Sequence, residues 1–163
     1  MTIEEEIKQK TFASPHHKVV VNLIYTNNWL VNRHADALKP FGLSIQQYNV
    51  LRILRGQHPN AITVNAIIDR MLDKMSNASR LVDKLVAKEL VNRVECPKDR
   101  RAVDVSITEK GLDLLAEIDR HSGEWQADIV ERLSDEEAEQ LSGLLDKIRS
   151  TESVDCDGNP VES

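Results

Sequence analysis

The side chains with the most chemical capacity in this sequence are polar donors and cations, not catalytic groups. Ser76-Asn77-Ala78-Ser79-Arg80, followed by Lys84, sets short hydroxyl and amide side chains beside a guanidinium. Short donors allow a helix end to approach a base pair closely, and Asn or Arg can form paired hydrogen bonds with a base edge. On this reading Asn77 pairs with adenine, Arg80 with guanine or a phosphate, and Lys84 with the backbone. A second cluster, Cys96-Pro97-Lys98-Asp99-Arg100-Arg101, loads a turn with three cations. Lys98, Arg100 and Arg101 suit a minor groove, whose negative potential deepens as it narrows. Asp99 among them makes sense as an acceptor that holds the turn in shape. Either cluster alone also describes an ordinary solvated helix face or hairpin tip; the two together point to duplex DNA.

Other chemistry finds little to stand on. The sequence has no glycine-rich phosphate loop, no nucleophile elbow and no His/Cys set at metal-ligand spacing, so no enzyme activity, cofactor or metal site is expected. His16, His17, His34, His58 and His121 are scattered. Cys96 and Cys156 lie far apart and read as free thiols of a reducing compartment, with at most a minor redox role for Cys96. Tyr25, Trp29, Arg33, Tyr48 and Trp125 offer aromatic walls and one cation, a lining that suits a small aromatic or phenolic effector. Tryptophans such as Trp29 and Trp125 more often belong to a core or a subunit seam.

A net charge of −6 sits awkwardly with nucleic acid until its distribution is read. Residues 1–108 carry 16 Lys and Arg against 11 Asp and Glu, and residues 109–163 carry 5 against 16, giving +5 and −11. A phosphate-binding surface needs local positive charge, which this split permits. With 163 residues, 40% hydrophobic and only 4% aromatic, the chain is expected to be one helical globular unit. It holds no apolar run of the roughly 18–20 residues needed to cross a bilayer. Its first residues are acidic, unlike a signal peptide, so a cytoplasmic protein without membrane contact is expected.

The elements that would position the two clusters follow from periodicity and caps. Residues 1–16 read as a loosely ordered arm. Apolar residues at helical spacing predict a helix from His17 to Lys39, stopped by Pro40-Phe41-Gly42. Ser44 with Gln47 forms a capping box for a second helix, residues 56–60 read as a turn, and Thr63–Met71 as a third helix. Residues 76–90 form the fourth, with Ala78, Leu81, Val82, Leu85 and Val86 inward. The period then changes to two: residues 91–95 and 102–107 fit strands flanking the basic turn, a wing over 96–102. Thr108 caps a long helix to about Leu133, where Leu115, Ile118, Trp125 and Ile129 suggest a heptad seam. Ser134 with Glu137 opens a last helix carrying Ala138, Leu141, Leu145 and Ile148. The fold class is therefore mainly α with a small β-wing. A winged helix-turn-helix over 41–107 is joined to a helical dimerisation region, 17–40 and 108–150, and a disordered acidic tail, 151–163.

The order of elements resembles the MarR (multiple-antibiotic-resistance regulator) family of winged-helix repressors. Lys98 to Gly111, KDRRAVDVSITEKG, is similar to that family's wing signature, and Ser79 to Leu85, SRLVDKL, to its recognition-helix core. The resemblance covers residues 18–150. It implies a homodimer built from the first and last two helices and a pseudo-palindromic operator. It also implies an effector cleft between dimer helices and winged lobe, Arg101 as the minor-groove arginine and Asp99 as the residue that orders the wing. The sequence departs from the family at Glu89, where a glycine usually ends the recognition helix, and at Ile67-Ile68 in place of Leu-Ala. A winged-helix module that binds protein without DNA is the alternative.

Overall fold

The computed structural model describes residues 1–96, 99–121 and 123–150; at 95, 96, 99–103, 123–126 and 128 the description is of the backbone alone. The expected acidic tail, 151–163, lies outside the described residues. The chain divides into two compact units, Met1–Trp125 and Gln126–Ser163.

The first unit begins with a turn of helix where a loose arm was expected. α1 (Ile3–Glu6) is closed by a capping box of Thr2 and Glu5 and buries Ile3. It docks on α2 (Pro15–Leu38) through a 2.6 Å Glu4–Lys18 ion pair and a Tyr25 hydroxyl that donates to Glu6 Oε2 at 2.7 Å. Such contacts join residues 14 to 19 positions apart and leave no periodic trace in the sequence. Ser14 Oγ caps α2, accepting from the His17 amide at 3.1 Å, and Pro15 takes the first helical position, where its missing N–H costs nothing. The helix ends in a 3-10 turn, Lys39–Phe41, and Gly42 at φ 65°, a left-handed conformation that favours glycine.

α3 (Ile45–Gln57) opens with the Ser44/Gln47 box, its two arms 3.2 and 3.0 Å long, and runs through Gly56 where a turn was expected. A two-residue strand, β1 (Ile62–Thr63), precedes α4 (Val64–Arg70), whose first turn is capped by Thr63. Two residues are too few to show alternation, so β1 was not legible. α5 (Ala78–Ala87) follows, shorter than the predicted 76–90. The wing strands are longer than predicted: β2 (Val91–Cys96) and β3 (Asp99–Ile107) pair antiparallel, Val91 opposite Ile107 and Glu95 opposite Val103. β1 pairs with β3 at Ile62–Val105, so the sheet has three strands in the order β1-β3-β2.

The helix predicted from Thr108 to about Leu133 is described as α6 (Glu109–His121) and α7 (Gly123–Arg132), on either side of Ser122, which lies outside the described residues. Leu115 and Ile118, predicted to lie on a dimer seam, are buried in the winged-helix core with Val50, Leu51, Leu54, Ile67, Val82 and Leu85. Their partner is α3, distant in sequence and therefore invisible to a periodicity argument. In the second unit, α8 (Asp135–Arg149) is capped by the expected Ser134/Glu137 box and leaves Leu141, Leu144 and Ile148 exposed.

One joint ties recognition helix, wing and α6 together. Glu89 adopts φ 62°, and the α5 terminus closes with Glu89 N–H donating to the Val86 carbonyl at 2.8 Å and Leu90 N–H to the Leu85 carbonyl at 3.0 Å. This is a Schellman ending, built here on a glutamate. The Thr108 hydroxyl donates to the Glu89 carbonyl at 2.8 Å and accepts from the Gly111 amide at 3.1 Å, so one side chain caps α6 and holds the turn. Lys110 reaches back to Glu89 Oε2 at 2.7 Å and holds that carboxyl below its usual range. A Cβ on Gly111 would lie 2.4 Å from the Leu90 carbonyl oxygen and 2.7 Å from Ile107 Cγ1. Backbone oxygen cannot rotate aside, so Gly111→Ala is expected to destabilise the fold by about 1–3 kcal/mol, read as a lower midpoint of urea unfolding.

Candidate nucleic-acid interface

α4, the turn after it and α5 form the helix-turn-helix. α5 presses Ala78, Val82 and Leu85 into the core, whereas Val86, expected inward, is exposed together with the opposite face. The tertiary structure then divides that face. Asp83 pairs with Arg93 of β2, and the Lys88 ammonium donates to the Gly42 carbonyl. The carboxylate most damaging to phosphate binding is thereby matched by a cation from the wing, and Lys88 is committed to the end of α2. Ser79, Arg80 and Lys84 remain exposed, and among the described residues Arg80 and Lys84 take part in no ion pair. Ser76, Asn77, Arg80, Leu81 and Lys84 line a shallow recess with Gln46 of α3, a residue that sequence reasoning did not single out. Its neighbour Gln47 is taken by the capping box, and no local signal marks Gln46 as facing α5.

Two of the predicted base readers already have structural work. Asn77 caps α5: its side-chain oxygen accepts from the Arg80 amide at 3.0 Å. A bidentate contact with adenine needs that same oxygen, so base pairing by Asn77 competes with the cap. The Ser76 hydroxyl donates to Asp73 Oδ2 at 2.7 Å, and the Met75 amide donates to Asp73 Oδ1 at 3.0 Å. Hydrogen bonds to the charged form, the one from Ser76 foremost, hold the Asp73 carboxyl below its ordinary value. Asp73 thus organises the turn between the two helices. Nothing in its sequence neighbourhood required that, because Asp in a turn is equally at home in solvent.

In the wing, Asp99, Arg100 and Arg101 belong to the backbone of β3, where the sequence reading put them in the turn. Their side chains, and Lys98 altogether, lie outside the described residues.

The predicted effector residues are only partly brought together. Arg33 lines a cavity of about 650 Å³ with Asp36, Ala37, Pro40, Phe41, Glu117 and His121. The Phe41 and His121 rings sit 5.9 Å apart within that lining. Tyr25 and Trp29 lie further up α2, Tyr25 bonded to Glu6 and Trp29 beneath the Arg33 guanidinium at 5.2 Å. The bond to Glu6 and some burial raise the Tyr25 phenol above its ordinary value. Tyr48 is buried, edge-on to His34 at 5.3 Å, and Arg52 lies over its ring. Burial lowers the His34 imidazole below its usual value. None of Tyr25, Trp29 and Tyr48 reaches the cavity, and the Trp125 side chain lies outside the described residues.

Known proteins decide what this architecture is. Residues 41–102 match the MarR family model. The HTH-type transcriptional regulator MhqR of Bacillus subtilis is 33% identical over 121 residues, which are 72% of this chain and 78% of MhqR. A MarR transcription factor from Planctomyces limnophilus superposes with a TM-score of 0.65 at 30% identity, covering 84% of this chain and 99% of its own.

The chain belongs to the MarR family.

A mutant MarR from E. coli, solved with operator DNA, shares the fold at a TM-score of 0.69 and 24% identity, covering 79% of this chain and 92% of its own. Membership in the family and the likeness to MhqR make the protein a DNA-binding transcriptional regulator with a winged helix-turn-helix, and favour that reading over a protein-binding module. Its MarR wing signature also gains a physical reason: Thr108 and Gly111 build the joint at the end of α5. Among the described residues no helix is long and apolar enough to cross a membrane, and no group of three or more His, Cys, Asp or Glu could hold a metal ion.

The two possible uses of Asn77 separate cleanly. Asn77→Ala is expected to lower stability by about 1 kcal/mol through loss of the cap, and Asn77→Ser to restore it in urea unfolding. Full DNA affinity in Asn77→Ser would assign the residue to capping alone; a loss there, with stability intact, would assign it to the base.

Proposed function

We propose that this MarR-family chain is a cytoplasmic homodimeric repressor that reads a pseudo-palindromic operator and is released by a small molecule. The observation that carries the DNA-reading part is the division of the α5 surface. Its solvent face keeps Ser79 and Arg80 of the first turn and Lys84 of the last exposed, while Asp83 and Lys88 are drawn into pairs elsewhere. Arg80 is the base or phosphate reader of the first turn, Lys84 a phosphate contact and Ser79 a close-approach donor, with Ser76 exchanging its bond to Asp73 for one to the duplex. Lys98, Arg100 and Arg101 of the wing take the minor groove, with Asp99 ordering the turn. The E. coli MarR of this fold solved with operator DNA supports a duplex as the partner.

Dimerisation is inferred from apolar surface in each unit taken separately. α2 exposes Val20, Ile24 and Val31 along one side, and α8 exposes Leu141, Leu144 and Ile148. Such stripes on amphipathic helices call for burial by a partner, and a second copy would supply it. Two winged lobes would then meet half-sites one helical turn apart.

The effector reading moves from the five predicted residues to the cavity at Arg33. A guanidinium beside the Phe41 and His121 rings suits a small aromatic acid, with Asp36 and Glu117 as acceptors for a phenolic hydroxyl. Support comes from a structural neighbour, Bordetella bronchiseptica BpsR, whose DNA binding is regulated by 6-hydroxynicotinic acid.

Selection of bound duplexes from fragmented genomic DNA is expected to return an inverted repeat. On that duplex Arg80→Ala should weaken binding by roughly ten- to a hundredfold, and Arg101→Ala should reduce both affinity and its salt dependence. Unchanged affinity in both variants, by fluorescence anisotropy at two salt concentrations, would sink the assignment. Phenolic acids are expected to raise the melting temperature and release DNA, with Arg33→Ala blunting both effects. A panel that does neither would leave DNA reading intact and remove the effector.

A further inference from the structure

The turn that leads into the recognition helix presents two large apolar side chains to water. Leu72 is 87% exposed and Met75 is 94% exposed, in a stretch otherwise made of polar residues and lying immediately before the Asn77 cap. Single exposed apolar residues are ordinary on protein surfaces. These two differ in how firmly the backbone beneath them is held. The Leu72 amide donates to Asn49 Oδ1 of α3 at 3.1 Å, and the Met75 amide to Asp73 Oδ1 at 3.0 Å. The Lys74 ammonium donates to the carbonyls of Ile68 and Asp69 at 3.1 and 2.5 Å, folding the turn against the end of α4. The turn therefore spends its polar groups on itself and leaves its apolar groups outward. Among the described residues nothing covers them.

We propose that Met75, with Leu72 beside it, is a specificity-determining apolar contact to thymine methyl groups in the major groove. The inference rests on the reading of Ser76 to Lys84 as the groove-facing segment. Met75 is continuous with that segment, two residues before the cap, and the first residues of a recognition helix are those that meet base edges. In the major groove the only apolar feature a base pair offers is the thymine 5-methyl group. Met is suited to such a contact because its unbranched, polarizable side chain adapts to small shifts in docking. A turn held by Asp73 and Asn49 presents that side chain from a backbone with little ordering left to do on binding. Met75 and Leu72 thus read what Ser79, Arg80 and Lys84 cannot, since hydrogen-bond donors and cations gain nothing from a methyl group.

The test uses the intact protein and the duplex obtained by selection, with thymines replaced one at a time by deoxyuridine, which lacks only the 5-methyl group. Wild-type protein is expected to lose about three- to tenfold in affinity at one or two positions per half-site. Met75→Ala, or the double variant with Leu72→Ala, should lose a similar factor on the thymine duplex and become indifferent to the replacement at those positions. Both residues are exposed, so melting temperatures should match the wild type. Wild-type affinity independent of every thymine methyl, or variants that keep the wild-type preference for thymine, would overturn the inference. Either result would still show DNA bound, and so differs from the failure of the DNA-reading assignment itself, in which no duplex is selected.

Discussion

The recognition helix ends where α6 begins, and the close approach of those two backbones constrains the rest of the winged lobe. Gly111 has no room for a Cβ against the Leu90 carbonyl, and the Thr108 hydroxyl is shared between the Glu89 carbonyl and the Gly111 amide. Through this joint α5, β2, β3 and α6 leave one small volume in set directions. Packing then completes it, with Leu85, Leu90, Val91, Ile107 and Leu115 buried around it. Interiors are dense enough that a shift at one element is felt by its neighbours. Glu89 is the costly member, since a left-handed side chain is worth about 1 kcal/mol less than glycine there. The Lys110 contact and the Thr108 bond to its carbonyl offset part of that cost.

Charge pairing across elements does a second kind of work. Surface ion pairs contribute little stability each, typically under about 1 kcal/mol. Their consequence here is placement. Arg93 neutralises Asp83 on the face of α5, and Arg52 and Arg55 of α3 converge on Asp119 of α6 at 2.9 and 2.5 Å. Arg52 also lies over Tyr48, which packs on His34 of α2. A continuous set of polar and aromatic contacts thus runs from α2 through α3 to α6. The cavity at Arg33 is bounded by the ends of α2 and α6. A ligand there would touch elements in contact with the helix-turn-helix, and it would alter DNA binding to the extent that it binds the DNA-competent and DNA-incompetent arrangements unequally.

The same logic explains why the apolar contacts at the turn escape notice in the linear chain. Leu72 and Met75 sit among Asp73, Lys74 and Ser76, a run that reads as a plain polar turn. Only when Asp73, Lys74 and Asn49 are seen to be occupied by the backbone does the outward surface of the turn become apolar.

What the sequence determined by itself was whatever depends on residues within about one helical turn of one another. The caps at Ser44 and Ser134 with their Gln47 and Glu137 partners, the inward stripe of α5 as far as Leu85, the change of period at residue 91 and the Thr108 start of α6 were all legible, because each is decided by i to i+4 geometry or strand alternation. The wing motif marked the family for the same reason, its residues being contiguous. Tertiary structure alone decided the rest. It buried Leu115 and Ile118 under α3, where a seam was expected, and folded α1 back onto α2. It added β1 to the sheet and drew Arg33 toward Phe41 and His121 and away from the other aromatic residues. Each of these turns on a partner distant in sequence, and neither helical period nor local propensity carries information about which distant surface an exposed stripe or a charge will meet.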